Sequence, residues 1–251
     1  TVSAIIAPNV LEALGIWKAY FIEPIALFYV LIDLLRRGTL NHQGVVFALI
    51  CGGVLVSVVA ILQWLTGAGI PVPWDFERRV TGVFDYPNAL GLYLGPLAVL
   101  AFTSILSSRA TNGSRGILLI TGSLFFLVIL LAQSEAAIAA LVITLVAMGL
   151  LHKSTRKQTA LSVLAITIVC LSMPFTRSYI IEKISFADYS EQVRLSQWRE
   201  TWQMLKDRPV FGAGLSGYPS ALTAYHKDTH IEIFQYPHNI ILNIWVELGL
   251  L

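Results

Sequence analysis

The stretch "GVVFALICGGVLVSVVAILQWL", residues 44–65, holds no charged residue in about 22 positions. A bilayer's hydrocarbon core is ~30 Å thick, and about 20 apolar residues cross it as a helix. Lipid offers backbone N–H and C=O groups no partners, so a lone run of this kind can cross only as a helix. Comparable runs recur at about 16–35, 88–106, 116–133, 135–151 and 159–175, and a partial one starts at 239. Composition agrees, with 56% hydrophobic and 13% charged residues and a mean hydropathy of +0.71. A soluble domain carries roughly a quarter charged residues. The fold class these features predict is an all-α polytopic membrane protein with about seven transmembrane helices.

The chain starts at Thr1 without a signal-peptide pattern and stops at Leu251, about a dozen residues into an apolar segment. This predicts further spans beyond both ends. The net charge of +2, with no run of lysine or arginine, gives nucleic acid no footing. Cys51 and Cys170 lie in separate apolar runs, which predicts unpaired, buried thiols rather than a disulfide or metal ligands.

Basic residues set the orientation. Arg36 and Arg37, then Arg109 and Arg115, then Lys153, Arg156 and Lys157 fall in alternate loops, all on one side by the span count. The opposite short loops hold only Arg78 and Arg79, offset by Asp75, Glu77 and Asp85. Positive charge marks the cytoplasmic side, so the 66–87 loop and the 176–238 segment face the periplasm of a bacterium. Three regions follow: transmembrane helices over 1–175, a periplasmic loop over 176–238, and the start of a seventh span over 239–251.

A connection as long as 176–238 is unusual inside a compact fold and points to function. Within it, "SEQVRLSQWRETWQMLKD" (190–207) reads as an amphipathic helix, with Ser190 as N-cap and Arg208-Pro209 closing the far end. Leu195, Trp198, Trp202 and Leu205 form one apolar stripe, flanked by Arg194 and Arg199. Such a helix lies on the membrane surface or over the bundle, apolar face down, with its guanidinium groups at headgroup level. The following Gly212, Gly214 and Gly217 match G-x-G-x-x-G, but no strand precedes them, so they read as a close-packed or flexible turn and not a dinucleotide site.

Several side chains carry two readings. His238, after Pro237 and before an apolar helix, is either an interfacial histidine satisfied by water or a general base. A helix N-terminus disfavours nearby positive charge, which leaves a neutral imidazole with a lone pair, and it attracts phosphate. Arg194 and Arg199 either snorkel at the edge of their helix or clamp phosphate oxygens. Arg78 and Arg79 either make a charged loop or join that phosphate set. Glu23, Glu135 and Glu247 stand in or near apolar runs, where carboxylates are costly. Glu23 faces Lys18. Glu247, nine residues beyond His238, sits about 180° around the helix and ~13 Å along it, so it serves a neighbouring helix rather than the histidine. His226, His230 and His238 lack the H-E-x-x-H pattern and have only Asp228 as a nearby carboxylate, so no metal or other cofactor is expected.

Three motifs, in order, resemble one family. "TGVFDYPNALGLYL" (81–94) looks like a T/S-G-x-F-x-x-P-N opening of a span. "RLSQWRETWQMLKDRPVFGAGLSGY" (194–218) is similar to an R-x-x-x-W helix followed by P-x-x-G-x-G, and "YPHNIILNIWVELGLL" (236–251) to a P-H-N-x-x-L…E-x-G-L element. The family is that of the O-antigen ligase-like membrane proteins, which includes O-antigen ligases, polysaccharide polymerases and protein O-oligosaccharyltransferases. The resemblance implies an inverting, metal-independent glycosyltransferase on the periplasmic face of the inner membrane. Its donor is a glycan on undecaprenyl pyrophosphate, and its acceptor is a hydroxyl on lipid A-core, a growing glycan or a protein. Position by position, it implies that His238 acts as general base or orients the acceptor and that Arg194 binds the pyrophosphate. Arg199, Arg79 and Asn239 complete the implied substrate-binding set. One departure is Ser134-Glu135, where many members carry Ser-Arg. The rival class is a polytopic transporter of bicarbonate or another small solute. Transporters concentrate polar groups at mid-span, whereas here these collect on one outer face.

Overall fold

The computed structural model describes residues 2–105, 112–172, 189–227 and 231–250. Every regular element in them is helical. These are α1 (Val2–Ile5), α2 (Val10–Trp17), a π-helical turn (Lys18–Ile22), α3 (Glu23–Arg36), α4 (His42–Thr66), α5 (Pro87–Ile105) and α6 (Asn112–Leu131). They continue with α7 (Glu135–Leu151), α8 (Arg156–Ser172), α9 (Tyr189–Asp207), α10 (Tyr218–Leu222) and α11 (Ile240–Leu248). Arg109, Asp228, His230 and most of the expected loop before α9 lie outside the described residues.

Among the described residues, three helices are long and apolar enough to cross a membrane: α4, α5 and Gly113–Leu131 of α6. The apolar α7 is shorter. Over the expected span at 16–35 the chain is helical without a gap, with α2 and α3 joined through the π-helical turn. Pro24 offers no N–H and its ring crowds the carbonyl four residues back. The ladder widens there, and the Glu23 N–H reaches Lys18 O, the spacing of a π-turn. The Lys18–Glu23 ion pair forms as expected, at 3.3 Å and largely exposed.

The chain forms two compact units, residues 37–168 and residues 1–36 with 169–251. In the first, α4 to α7 pack around Ala60, Leu90, Leu94, Phe125 and Ile129. Glycines permit the close crossings. A Cβ on Gly91 would stand 2.6 Å from Ala137 Cβ, and one on Gly53 2.7 Å from the Phe125 ring. Membrane helices pack through small residues in this way because lipid supplies no hydrophobic drive between them. Phe47, Leu55, Leu92, Ile120 and Ile143 face outward. α4 is capped by Asn41, whose Oδ1 accepts the Gly44 N–H, and closed by Gly67 in the left-handed region. Buried Gln63 ties it to the 81–94 motif: Oε1 accepts the Thr81 and Gly82 N–H groups at 3.0 and 2.8 Å, and Nε2 donates to Gly69 O and Gly82 O. Asn88 of the same motif accepts the Ser134 hydroxyl at 2.9 Å. Glu135, beside Ser134, is the exposed first residue of α7, where the helix dipole favours a carboxylate.

In the second unit, one core gathers Met204, Leu205, Tyr218, Leu222 and Val246, and a smaller one gathers Ala4, Ala7, Ala13 and Leu215. The glycine-rich turn after α9 joins them through the backbone. Ala213 N donates to Val246 O at 2.7 Å, Leu215 N to Ser3 O at 3.2 Å, and Leu250 N to Val210 O at 2.9 Å. Gly212 has φ +64, and any Cβ there would lie 2.3 Å from Val246 O. The glycines therefore serve close backbone approach. Cys51 and Cys170 are unpaired, but half-buried rather than buried.

Candidate functional site

The site forms where α9 meets the segment that leads into α11. α9 spans Tyr189–Asp207, one residue longer at its start than expected, so Ser190 lies inside the helix instead of capping it. Its buried face also differs. Val193, Gln197, Glu200, Thr201, Met204 and Leu205 are buried, while Leu195 and Trp198 are half-buried and Trp202 is exposed, edge-on to Trp245 at 5.6 Å. Polar side chains can take the inward positions because each finds at least one partner, although Gln197 Oε1 is buried without one. Gln197 Nε2 donates to Glu232 O at 3.1 Å, and the Thr201 hydroxyl meets Tyr218 Oη at 2.8 Å. Burial, with Glu200 nearby, pushes the Tyr218 phenol up to about 12 despite the Thr201 contact, so it stays a neutral partner.

Glu200 anchors the returning chain. Its Oε1 accepts the Lys227 N–H at 2.8 Å, and its Oε2 pairs with His226 Nδ1 at 3.0 Å. The other ring nitrogen of His226 lies 2.8 Å from Ile231 O. Further along, the Trp198 indole N–H donates to Pro237 O at 2.7 Å. Hydrogen bonds from Gln197, Trp198 and Glu200 thus hold His226, Lys227, Glu232 and Pro237 to α9.

His238 follows directly. Its backbone is left-handed, φ +50, a sparsely populated region for a residue with a side chain. Its ring stands edge-on to Phe234, centroids 4.9 Å apart. The residue is open to solvent on one side. Partial desolvation, and after it the Arg194 guanidinium, push its imidazole below the ordinary histidine value. Desolvation and a like charge thus favour the neutral form. Asn239 is the N-cap of α11: its Oδ1 accepts the Ile241 and Leu242 N–H groups at 3.0 and 3.2 Å.

His238, Arg194 and Asn239 therefore share one neighbourhood. Arg199 does not face them: it is exposed and about 140° around α9 from Arg194. Arg79 belongs to the other unit, where Nε and Nη2 donate to Ala132 O and Gln133 O at 3.3 and 3.2 Å, its guanidinium 4.9 Å from the centre of the Trp74 ring. It closes the C-terminal end of α6, whose free carbonyls attract a cation. Glu247 lies against the Ser216 backbone in the glycine-rich turn. An open cleft of about 410 Å³ sits at the far end of α9, with Asp207, Arg208, Phe211 and Gly212 among its walls. Sequence reasoning missed Trp198 and Phe234 as neighbours of the histidine. The four-residue spacing of Arg194 and Trp198, one helical turn, was the available signal.

A family model described as O-antigen ligase matches residues 120–251, more than half of the chain and all of the α9–α11 region. The 81–94 motif and Arg79 lie outside the match. No curated protein and no solved structure matches the chain.

Proposed function

Because the chain belongs to the O-antigen ligase family, we propose that it transfers a glycan from undecaprenyl pyrophosphate to an acceptor hydroxyl at the periplasmic face of the inner membrane. The family implies ligase-type glycan transfer between a lipid-linked donor and an acceptor, and the three long apolar helices fit a membrane setting. In this reading the shorter apolar segments complete a bundle of about seven spans.

The observation that carries the mechanism is the pairing of His238 with Arg194: a half-desolvated imidazole, favoured neutral, beside an exposed guanidinium. The imidazole lone pair accepts the proton of the acceptor hydroxyl. The oxygen attacks the anomeric carbon as the bond from that carbon to the diphosphate oxygen breaks, which inverts the centre. The electron pair leaves with undecaprenyl pyrophosphate, and Arg194 stabilises the charge that develops there. This reading needs no metal. Arg79 is left out of the phosphate set, since its guanidinium already holds the α6 carbonyls. Arg199, exposed and turned about 140° from Arg194 on α9, is left out of the phosphate set as well. Asn239 supports the site through its cap.

The test uses the intact protein in nanodiscs with an undecaprenyl-pyrophosphate glycan and candidate acceptors. His238→Ala and Arg194→Ala should each lower transfer by about a hundredfold or more. Transfer undiminished in both variants would refute the site. Solute uptake into proteoliposomes without any glycan transfer would establish the transporter instead.

A further inference from the structure

The left-handed backbone at His238 is costly. A non-glycine residue in that region carries on the order of 1 kcal/mol of strain, and such strain persists only where the surroundings over-determine it. On the C-terminal side the hold is plain, because Asn239 caps α11. On the N-terminal side the hold is Trp198, whose indole N–H donates to the carbonyl of buried Pro237 at 2.7 Å. Proline offers no N–H of its own, so that carbonyl is its backbone's one polar group. Trp198 also stands one helical turn from Arg194, on a neighbouring strip of α9. A single indole therefore ties the peptide before His238 to the turn of helix that carries the arginine.

We propose that Trp198 is a positioning residue for His238, holding the imidazole toward Arg194 and against Phe234 through its hydrogen bond to Pro237 O. The proposal rests on the reading of His238 as the base. Released from Trp198, Pro237 rotates, His238 relaxes out of the left-handed region, and the ring leaves both Phe234 and the guanidinium. Donor binding, which falls to Arg194, is untouched.

Replacing Trp198 with β-(3-benzothienyl)alanine keeps the bicyclic shape and removes only the N–H; Trp198→Phe is the genetic counterpart. In the intact protein, both should lower kcat about tenfold, the factor expected of one lost hydrogen bond, with donor KM within about twofold. NMR titration of labelled His238 should move up, toward the ordinary histidine value, as the ring regains water and leaves Arg194. Unchanged kcat with an unmoved titration overturns the proposal. So does a fall in kcat that tracks lost thermal stability while the titration stays put, since that marks a merely structural tryptophan. Full activity of His238→Ala would refute the base reading instead. The titration arm then still decides the hold: an unmoved His238 rejects it and a raised one retains it.

Discussion

Glu200→Ala removes both oxygens that fasten residues 226–227 to α9. The carboxylate is 7% exposed and the His226 side chain 12%, so water replaces the lost contacts poorly. Truncation strands the Lys227 N–H, which Oε1 holds at 2.8 Å, and takes the carboxylate from His226 Nδ1 at 3.0 Å. An orphaned amide costs about 1–3 kcal/mol, and breaking a buried pair by deleting one partner ~3–5 kcal/mol in all. Glu200→Gln separates charge from geometry. Its amide oxygen still accepts from Lys227, and its NH2 donates to Nδ1 once His226 carries its proton on Nε2, which then donates to Ile231 O. Every contact survives in neutral form, and the cost falls to about 1 kcal/mol. Hydrogen exchange reads the difference directly, because local opening energies set amide protection. In the intact protein, Glu200→Ala should lower protection of the Lys227 amide by a hundredfold or more, and Glu200→Gln by about tenfold or less. Transfer activity should fall with Glu200→Ala, since the loosened segment ends at His238. A Glu200→Ala protein as protected as wild type, or a Glu200→Gln protein as damaged as the alanine variant, would refute this account of the segment.

Arg194→Gln removes the like charge that helps depress His238, so NMR should show the imidazole titrating at higher pH than in wild type; a fall would reverse the assigned cause. The sign for stability follows from the same depression. The folded state disfavours the protonated ring, so this group's contribution is fully present above the unfolded-state value and is lost as pH falls through the lower folded one. Gly212→Ala should be among the most damaging single-methyl changes, at more than ~3 kcal/mol, since its Cβ meets Val246 O at 2.3 Å on a backbone at φ +64. Yield of folded, detergent-stable protein measures it, and a wild-type yield would refute the close-packed reading of the glycine turn.

The long apolar helices were legible because their constraint is local: lipid leaves a run such as 44–65 no other structure. The region 16–35 was legible as a helix but its π-turn was not, because hydropathy registers apolarity and not the donor that Pro24 lacks. The glycine turn was left as close-packed or flexible; the structure shows close packing, and its partners, Val246 O and Ser3 O, come from distant sequence that no local pattern names.

The larger lesson lies in α9. Its apolar stripe, Leu195-Trp198-Trp202-Leu205, pointed to one buried face, whereas the helix buries Gln197, Glu200 and Thr201 beside Met204 and Leu205. Periodicity counts apolar residues and treats a polar one as facing water, which holds only when the polar group has no partner waiting inside. Here the partners are the Glu232 carbonyl, the Lys227 amide and the Tyr218 hydroxyl. They are distant in sequence and near only once the chain returns along the helix. The polar ridge thus gives the Lys227 amide and the Glu232 carbonyl their partners on α9. Arg194, Gln197, Trp198 and Glu200 lie within two turns of that helix. One helix therefore both carries the charge facing His238 and holds the residues that precede it. Polar residues at 197, 200 and 201 are themselves a signal of this use: a helix kept for burial alone would have filled those positions with leucine.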